Sequence, residues 1–592
     1  MSSSCSRSAF RFGFSLIFLV LIHLNLSAQT EGERSGGYTC GSDWARQVDY
    51  EAALEITRQN NPALYQRMVA GVPAYHEKEG QVLAGLPFWV NSRTGQGFQS
   101  VEATLMDTAG GVWVWLVDDY VQQIAPSTIE KLMYGLAEHV KEGPNTRNAE
   151  QGVMANDIAI FGDPPRDVWS DGLALLHVLL LNIESPIDGG VISGYFSAYD
   201  QTSNPGSNNR NLLYIDLRQL LNQNQAAVDK TLGTIAHEFQ HLINFNRYTG
   251  IASQAETHWI YNEGLSEVAS LRNGYHDRTA TEYLRRPNRF AYFDAPIGSG
   301  NADTILRAYQ RSMLWVHYLS EQFGDEFLYE LVAAPGNSLD PVRTAMQRSG
   351  NGDTATNVFA AFWTANYLQD AGGFSGDPIF QYQYPLGGIA GTTQKFDSAG
   401  LATESETIKG YGAFLPRYFN TDSLEKSFRV RFLPGSSEYK VHAVIFQNTG
   451  TIAVQPMEVD QEYLFERFTG LVFVIVNTNS SDRTITWTLE RGTVSVHDTP
   501  ALAADLDVTG VRLNPNGDQL TLDLLAGRSG NVALEFFTVQ GERVLPDGNN
   551  QWLDAGERRI VRDVSTLPSG TYLLRLRSAH GAVLTRPFAL IR

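Results

Sequence analysis

The pattern of apolar and polar residues changes once along the chain, between about residue 370 and residue 395. Up to about residue 370, helical stripes of apolar residues alternate with short apolar runs, and one of these runs, Gly172–Ile183, predicts a buried strand. Beyond residue 395 the apolar residues alternate with polar ones in short runs between turn residues, which is typical of β-sandwiches. We therefore predict a multidomain protein in which one α+β domain is followed by two all-β sandwich domains.

The pattern also predicts where the domains begin and end. The N-terminus is typical of an export signal, because Arg7 and Arg11 precede an apolar run that is shorter than the ~20 residues of a membrane span. No later run is long and apolar enough to cross a bilayer. The predicted parts are a signal peptide at 1–28, a helical segment or pro-segment at 29–85, the α+β domain at 86–372, a β-sandwich at 395–492 and a C-terminal β-domain at 508–592.

Composition and charge narrow the class of protein further. The 592 residues are 43% hydrophobic and 18% charged, as in folded proteins rather than disordered ones. A net charge of −19 argues against binding to nucleic acid, which requires clustered basic residues. The only cysteines are Cys5, inside the predicted signal, and Cys40, so the exported chain would have no internal disulfide.

The strongest chemical signal is the segment "TLGTIAHEFQHLINFNRY", Thr231–Tyr248. Its apolar residues recur at helical spacing, which places His237 and His241 one turn apart on the same face. Two such imidazoles can bind one Zn²⁺, and Glu238 lies close enough to reach water at that ion without being a ligand. The alternative is an ordinary amphipathic helix that carries two histidines by chance.

A third ligand would decide between these interpretations, because catalytic zinc has three protein ligands and one open position. Glu263 is the candidate, in the segment "THWIYNEGLSEVASL". A helix from about Trp259 would place Glu263 and Glu267 on one face. The pattern HExxHxxGxxH for a third histidine fails, since it meets Asn244 and Arg247. His258 remains an alternative ligand.

These motifs resemble the glutamate-type zincins of the thermolysin-like clan, in which HExxH is followed by Asn-Glu-x-x-Ser-Asp/Glu. The chain is most similar to the hyicolysin-like zinc metallopeptidases in the sequences of four segments, "HEFQHLINFN", "YNEGLSEVAS", "SGYFSAYD" and "LLYID". The resemblance implies that His237, His241 and Glu263 bind one catalytic Zn²⁺ and that Glu238 is the general base. It also implies that Glu267 orients a ligand histidine. Calcium is compatible with such an enzyme, but nothing in the sequence indicates it.

The function implied is that of a secreted zinc endopeptidase that hydrolyses proteins or peptides. Its extended substrate would pair with the strand "SGYFSAYD". The side chains considered as oxyanion donors, with none preferred, are Tyr248, His258, Tyr261, Tyr309 and His317. Two alternatives stay open, namely a zinc exopeptidase and a non-catalytic surface binding or adhesion protein on a zincin scaffold.

The C-terminal part predicts strands with turns at Asn516-Gly517, Gln540-Gly541 and Ser569-Gly570. Its amino-acid sequence, notably "LPSGTYLLRL", resembles the C-terminal sorting domain of type IX secretion. This resemblance implies the type IX secretion machinery as a partner and a secreted or surface-attached location.

Overall fold

A computed structural model describes residues 39–590 of the chain with internal gaps. The gaps are 73–83, 93–95, 184–191, 249–257, 277, 286, 290, 295–301, 390–391, 394–399, 420–425, 435–438, 448, 467, 494–506, 515–517, 527–528, 539–542, 545–549, 555 and 579–582. The predicted signal peptide at 1–28 lies outside the described residues. The chain divides into two compact units at Gly492.

A seven-stranded mixed sheet forms the framework of the first unit. Its strands are β1 (Thr39–Cys40), β2 (Leu86–Asn91), β3 (Phe98–Ala109), β4 (Val112–Val117), β5 (Leu176–Leu181), β6 (Ile192–Phe196) and β7 (Leu212–Asp216), in the order β1-β6-β7-β5-β4-β3-β2. Strands β4, β5 and β7 run parallel, β6 is antiparallel to β7, and β1 is parallel to β6. Every residue of β5 is buried, which confirms the prediction of a buried strand within Gly172–Ile183.

Helices cover both faces of this sheet. They are α1 (Ser42–Gln47), α2 (Tyr50–Asn60), α3 (Pro62–Ala70), α4 (Pro126–Ala137), α5 (Val153–Phe161), α6 (Gln225–Arg247), α7 (Trp259–Arg272), α8 (Thr281–Leu284), α9 (Ala302–Val332), α10 (Asp340–Arg348) and α11 (Ala355–Leu368). The core on one face combines apolar side chains of α4–α7 with those of the sheet. On the other face Ala45 of α1 packs in a core with Trp115 and Tyr195.

Helix α6 carries the His-Glu-x-x-His motif and is fixed by burial. Its N-cap is Asn224, whose side chain accepts a hydrogen bond from the Ala227 N–H. The apolar stripe predicted from the sequence is at most 1% exposed at every position: Val228, Leu232, Ile235, Ala236, Phe239, Leu242 and Ile243. Burying each large apolar side chain contributes about 1.5–3 kcal/mol, so packing against the sheet sets the orientation of the histidines.

Helix α7 begins at Trp259, as predicted, and lies unusually close to α9. A Cβ on Gly264 would lie 2.5 Å from Val316 Cγ2 and 2.6 Å from the Ser312 carbonyl oxygen. Only glycine therefore permits this approach of the two helices. The neighbouring residue Glu263 is held in a fully buried layer as a result.

Two further sheets complete the first unit. Their strands are β8 (Thr392–Thr393), β9 (Gly400–Ile408), β10 (Ala413–Phe414), β11 (Pro416–Phe419), β12 (Lys426–Phe432), β13 (Tyr439–Gln447), β14 (Ile452–Met457), β15 (Glu462–Glu466), β16 (Phe468–Asn477) and β17 (Arg483–Thr493). One sheet has the order β14-β13-β16-β11-β8 with β10 also on β16, and the other has the order β15-β12-β17-β9. Phe428, Phe473 and Trp487 lie in the apolar core that the two sheets share.

The first of these sheets also contacts the helices. Alternate residues of β16 belong to two cores, with Phe473 in the core of the two sheets and Val474 in the core that contains α6. In addition, Thr364 Oγ1 of α11 lies 2.8 Å from His442 Nδ1 of β13. These contacts explain why residues 395–492 belong to the same compact unit as the mixed sheet.

The second unit is all-β among its described residues. It contains β18 (Asp507–Leu513), β19 (Gln519–Ala526), β20 (Gly530–Thr538), β21 (Asn550–Leu553), β22 (Gly556–Asp563), β23 (Gly570–Ser578) and β24 (Val583–Leu590). A three-stranded sheet, β18-β19-β22, and a four-stranded sheet, β21-β20-β23-β24, enclose one apolar core. The chain is therefore multidomain and combines helices with several β-sheets, as predicted at this level. Across the described ranges, no helix has the length and apolar character needed to span a bilayer.

Candidate metal centre

Helices α6 and α7 bring three potential ligands together in the interior. His237 Nε2 and His241 Nε2 lie 3.2 Å apart. Glu263 Oε2 lies 3.4 Å from His237 Nε2 and 3.6 Å from His241 Nε2. All three side chains are at least nine-tenths buried. The three residues predicted as ligands thus form a triangle of donor atoms.

The size of this triangle fits one tetrahedral zinc ion. Two ligand atoms bound at 2.0–2.1 Å at tetrahedral corners are about 3.3–3.4 Å apart, and the three observed separations bracket that value. Neither carboxylate oxygen of Glu263 has a hydrogen-bond partner among the described residues. A buried carboxylate without such partners is costly unless a cation compensates it. The donor set therefore suits a zinc ion.

Glu263 and the two histidines shift one another's pKa values. Burial alone would raise the pKa of the Glu263 carboxyl, but His241 and His237 outweigh this effect and lower the pKa overall. Burial alone would lower the pKa of His241, but Glu263 raises it to about 9. A proton on His241 must leave before the imidazole can bind a metal ion, so metal affinity should increase with pH.

The other side of the His241 ring is held by residues of α7. His241 Nδ1 lies 3.0 Å from Asn262 Oδ1 and 3.1 Å from Ser266 Oγ. Ser266 Oγ donates a hydrogen bond of 2.6 Å to Gln240 Oε1. With Nδ1–H donating to Asn262, the lone pair of Nε2 is free for a metal. Asn262 and Ser266 belong to the "NEGLSE" motif, but the sequence analysis gave them no role.

Glu267 lies near the Nδ1 side of the His237 ring. Its Oε1 is 3.7 Å from His237 Nδ1 and 3.3 Å from Arg278 Nη1, and its Oε2 is 2.9 Å from His276 Nε2. Burial alone would raise the pKa of Glu267, but Arg278 and His276 lower it to about 2. The side chain is therefore a carboxylate at neutral pH and faces the ring predicted to need orientation. His276 and Arg278 follow α7 in a loop, and no sequence pattern singled them out.

We expect Glu267→Gln to weaken zinc binding by about 10–100-fold, because it removes the negative charge that faces His237 Nδ1. Competition with a chromophoric chelator would measure the affinity. Glu326→Gln, the same chemical change at an exposed position of α9, is the matched control and should bind zinc like the wild type. Equal affinity in all three proteins would show that Glu267 does not support the metal.

Glu238 points to the open side of the triangle, where the N-terminal residues lie. Its Oε2 accepts a hydrogen bond of 2.9 Å from Ser42 Oγ and lies 3.5 Å from Cys40 Sγ. Cys40 Sγ is also 3.5 Å from His241 Nε2. Cys40, His237, Glu238 and His241 each have a donor atom within 4.8 Å of the others. Among the described residues, Glu263 contacts both imidazoles, whereas Glu238 accepts a hydrogen bond from Ser42.

The remaining candidate side chains lie in different surroundings. His258, the alternative ligand, stacks on Tyr248 with ring centroids 4.0 Å apart, and burial lowers its pKa to about 4. Tyr261 donates to the Ser338 carbonyl oxygen and accepts from Trp315 Nε1. His317 Nε2 lies 2.9 Å from the Tyr384 carbonyl oxygen. Of the five oxyanion candidates, Tyr309 has its ring near a ligand ring, 6.3 Å from that of His237.

The strand predicted to bind substrate is β6. On one side it pairs with β7, and on the other side the short strand β1 pairs with it in parallel, with Cys40 opposite Gly194. The edge on which a peptide could add is therefore covered by the N-terminal residues in this structure.

Comparisons with known proteins agree with two parts of the sequence analysis. A model of the secretion system C-terminal sorting domain matches residues 514–588. This domain indicates export by the type IX secretion system to the cell surface or the extracellular space. The chain is also similar to the neutral metalloprotease ShpI of Staphylococcus hyicus, with 24% identity over 275 residues. These two findings confirm the resemblances drawn from the motifs.

The match to ShpI covers 44% of this chain and 56% of the relative, so the chain spans little more than half of that protein. Solved structures were also compared. The periplasmic g-type lysozyme inhibitors PliG of Salmonella Typhimurium and Aeromonas hydrophila are 12% and 13% identical to 17% of this chain, over 97% and 93% of their own lengths. Their TM-scores are 0.14, which is too low to support any argument about this fold.

Proposed function

We propose that the chain is a secreted zinc-dependent endopeptidase whose catalytic part, residues 86–372, is zincin-like. Residues 395–492 would be an accessory sandwich, and residues 508–592 would be read by the secretion machinery. The observation that carries the proposal is the buried triangle of His237, His241 and Glu263 donor atoms with Glu238 beside it. The similarity to ShpI, a neutral metalloprotease, supports the same class of reaction.

Different side chains have different roles in the proposed reaction. His237, His241 and Glu263 would hold the zinc ion, which would supply Lewis acidity for activating water and polarising an amide carbonyl near neutral pH. Glu238 accepts the proton of the attacking water and delivers it to the leaving nitrogen. Tyr309 is the candidate donor to the developing oxyanion, because its ring lies near that of His237. An extended substrate pairs with β6 through backbone hydrogen bonds.

We expect a chelator to abolish cleavage of an unfolded protein and one equivalent of Zn²⁺ to restore it, because the metal supplies the Lewis acidity. Mass spectrometry of the products would identify the reaction. Cuts inside the substrate support an endopeptidase, whereas release of residues from one end indicates an exopeptidase. Binding of the substrate without any product from any form of the chain would instead indicate a non-catalytic surface protein.

A further inference from the structure

We infer that Cys40 is a fourth ligand of the metal and that the N-terminal segment (residues 39–70) keeps the enzyme inactive until it is removed. This inference rests on the proposed function. It concerns a cysteine to which the sequence analysis gave no role and which is 198 residues from Glu238 in the chain. The thiol lies at the open side of the donor triangle, where a catalytic zinc site needs its free position.

The distances at Cys40 fit a zinc ligand. A thiolate at about 2.3 Å and an imidazole nitrogen at about 2.0–2.1 Å from one tetrahedral zinc ion are about 3.6 Å apart. Cys40 Sγ lies 3.5 Å from His241 Nε2. Together with the Glu263 oxygens, which have no hydrogen-bond partner among the described residues, this separation supports a four-ligand site. Four protein ligands are the arrangement of structural zinc sites, which leave no room for water.

The segment also engages the general base. Ser42 Oγ donates to Glu238 Oε2 at 2.9 Å and accepts from the Phe196 N–H at 3.1 Å. Ser42 N–H in turn donates to Cys40 Sγ at 3.3 Å. The position between Glu238 and His241, which the attacking water requires, is thus taken by the Cys40 thiol and its neighbour. Glu238 cannot reach a water there while the segment is bound.

The same residues cover the edge on which substrate would add. Strand β1 pairs with β6, and the Gly41 N–H donates to the Gly194 carbonyl oxygen at 2.8 Å. A Cβ on Gly41 would lie 2.7 Å from Ile192 Cγ2, so any larger residue here would require the Ile192 side chain to shift. Cys40, Gly41 and Ser42 therefore block the metal, the strand edge and the base together.

Helices α1–α3 attach the segment to the enzyme away from the metal. Trp44 packs edge-on against Tyr195 at 5.3 Å, and Tyr50 stacks on Tyr199 at 3.9 Å. Tyr50 Oη also lies 2.8 Å from Ser197 Oγ. These contacts hold the segment in place, and they therefore keep the Cys40 thiol close to the metal. If the segment only supported the fold, it would not need to contact the metal, the general base and the edge of β6. If it stayed bound permanently, the metal would have no open position for water.

Activation then requires one hydrolytic step. Water cleaves a peptide bond C-terminal to the segment, which leaves a carboxylate on the segment and an amine on the enzyme, and the segment dissociates with its thiol. The metal regains its free position, Glu238 loses the Ser42 hydrogen bond, and β6 regains its edge.

Three measurements on the full chain test the inference. The Co²⁺-substituted wild type should show a near-ultraviolet sulfur-to-cobalt charge-transfer band that Cys40→Ser lacks. Iodoacetamide, followed by peptide mapping, should alkylate Cys40 of the wild type at least about tenfold faster after metal removal, since bound metal shields the thiolate. Removal of residues 39–70 from the full chain by limited proteolysis should make it cleave unfolded protein at least about tenfold faster than the uncleaved wild type, because the open position, the base and the edge of β6 are restored together. Glu51→Gln, an exposed change in the same segment, should behave like the wild type in every assay.

Each part of the inference has its own contrary result. Absence of the band together with equal alkylation rates would overturn the ligand assignment, and the alkylation test needs no variant that folds. An uncleaved wild type as active as the chain without residues 39–70, or an active mature form whose N-terminus still precedes Cys40, would overturn the inactive state. If the band and the protection are present but no form of the chain hydrolyses protein, the ligand assignment is supported and the proposed function fails.

Discussion

Glu238→Gln should reduce hydrolysis of unfolded protein by about 10²–10⁴-fold or more, because an amide cannot accept the proton of the attacking water. Zinc content should stay at that of the wild type, since Glu238 bonds to Ser42 rather than to both imidazoles. The assay uses whichever form of the wild-type chain cleaves the substrate, with metal analysis of the same samples. The substitution conserves size, so the buried helix α6 should keep its packing.

Glu326→Gln provides the control, because it makes the same chemical change at an exposed position. It should retain full activity. Substantial hydrolysis by Glu238→Gln would assign the base to another group. Loss of zinc from this variant would instead indicate that Glu238 belongs to the ligand set.

Glu263→Ala should lose the metal. The side chain supplies the third corner of the donor triangle, and in the chain without residues 39–70 two imidazoles alone would bind zinc at least about 10²-fold more weakly, given that even supporting residues cost 10–100-fold. Metal analysis after dialysis against a weak chelator would show about one zinc per wild-type chain and close to none in the variant. Hydrolysis should be lost with the metal.

The thermal unfolding midpoint gives a second measurement of the same change. Zinc should raise the midpoint of the wild type, because a ligand that binds only the folded state stabilises it. The midpoint of Glu263→Ala should no longer respond to zinc, whereas Glu326→Ala should respond like the wild type. If Glu263→Ala without residues 39–70 kept a full equivalent of zinc, Glu263 would not be the third ligand.

Much of the fold near the site followed from local patterns. The stripe from Val228 to Ile243 predicted α6 because helical periodicity needs no distant contact. The apolar run at β5 predicted a buried strand for the same reason. By contrast, the alternating pattern of β16 did not predict that its two faces pack in two different cores. An alternating strand pattern identifies buried positions but not the element that covers them.

The sequence by itself determined the spacing of His237, Glu238 and His241, because these residues share one helix whose geometry is fixed by its own hydrogen bonds. It also selected Glu263, through a motif on the next helix. Only the tertiary structure decided that Cys40 and Ser42 lie against Glu238, and that His276 and Arg278 lie against Glu267. The physical reason is that these contacts depend on how a short strand adds to a sheet edge and how a loop returns to a helix. Neither arrangement leaves a periodic signal in the chain.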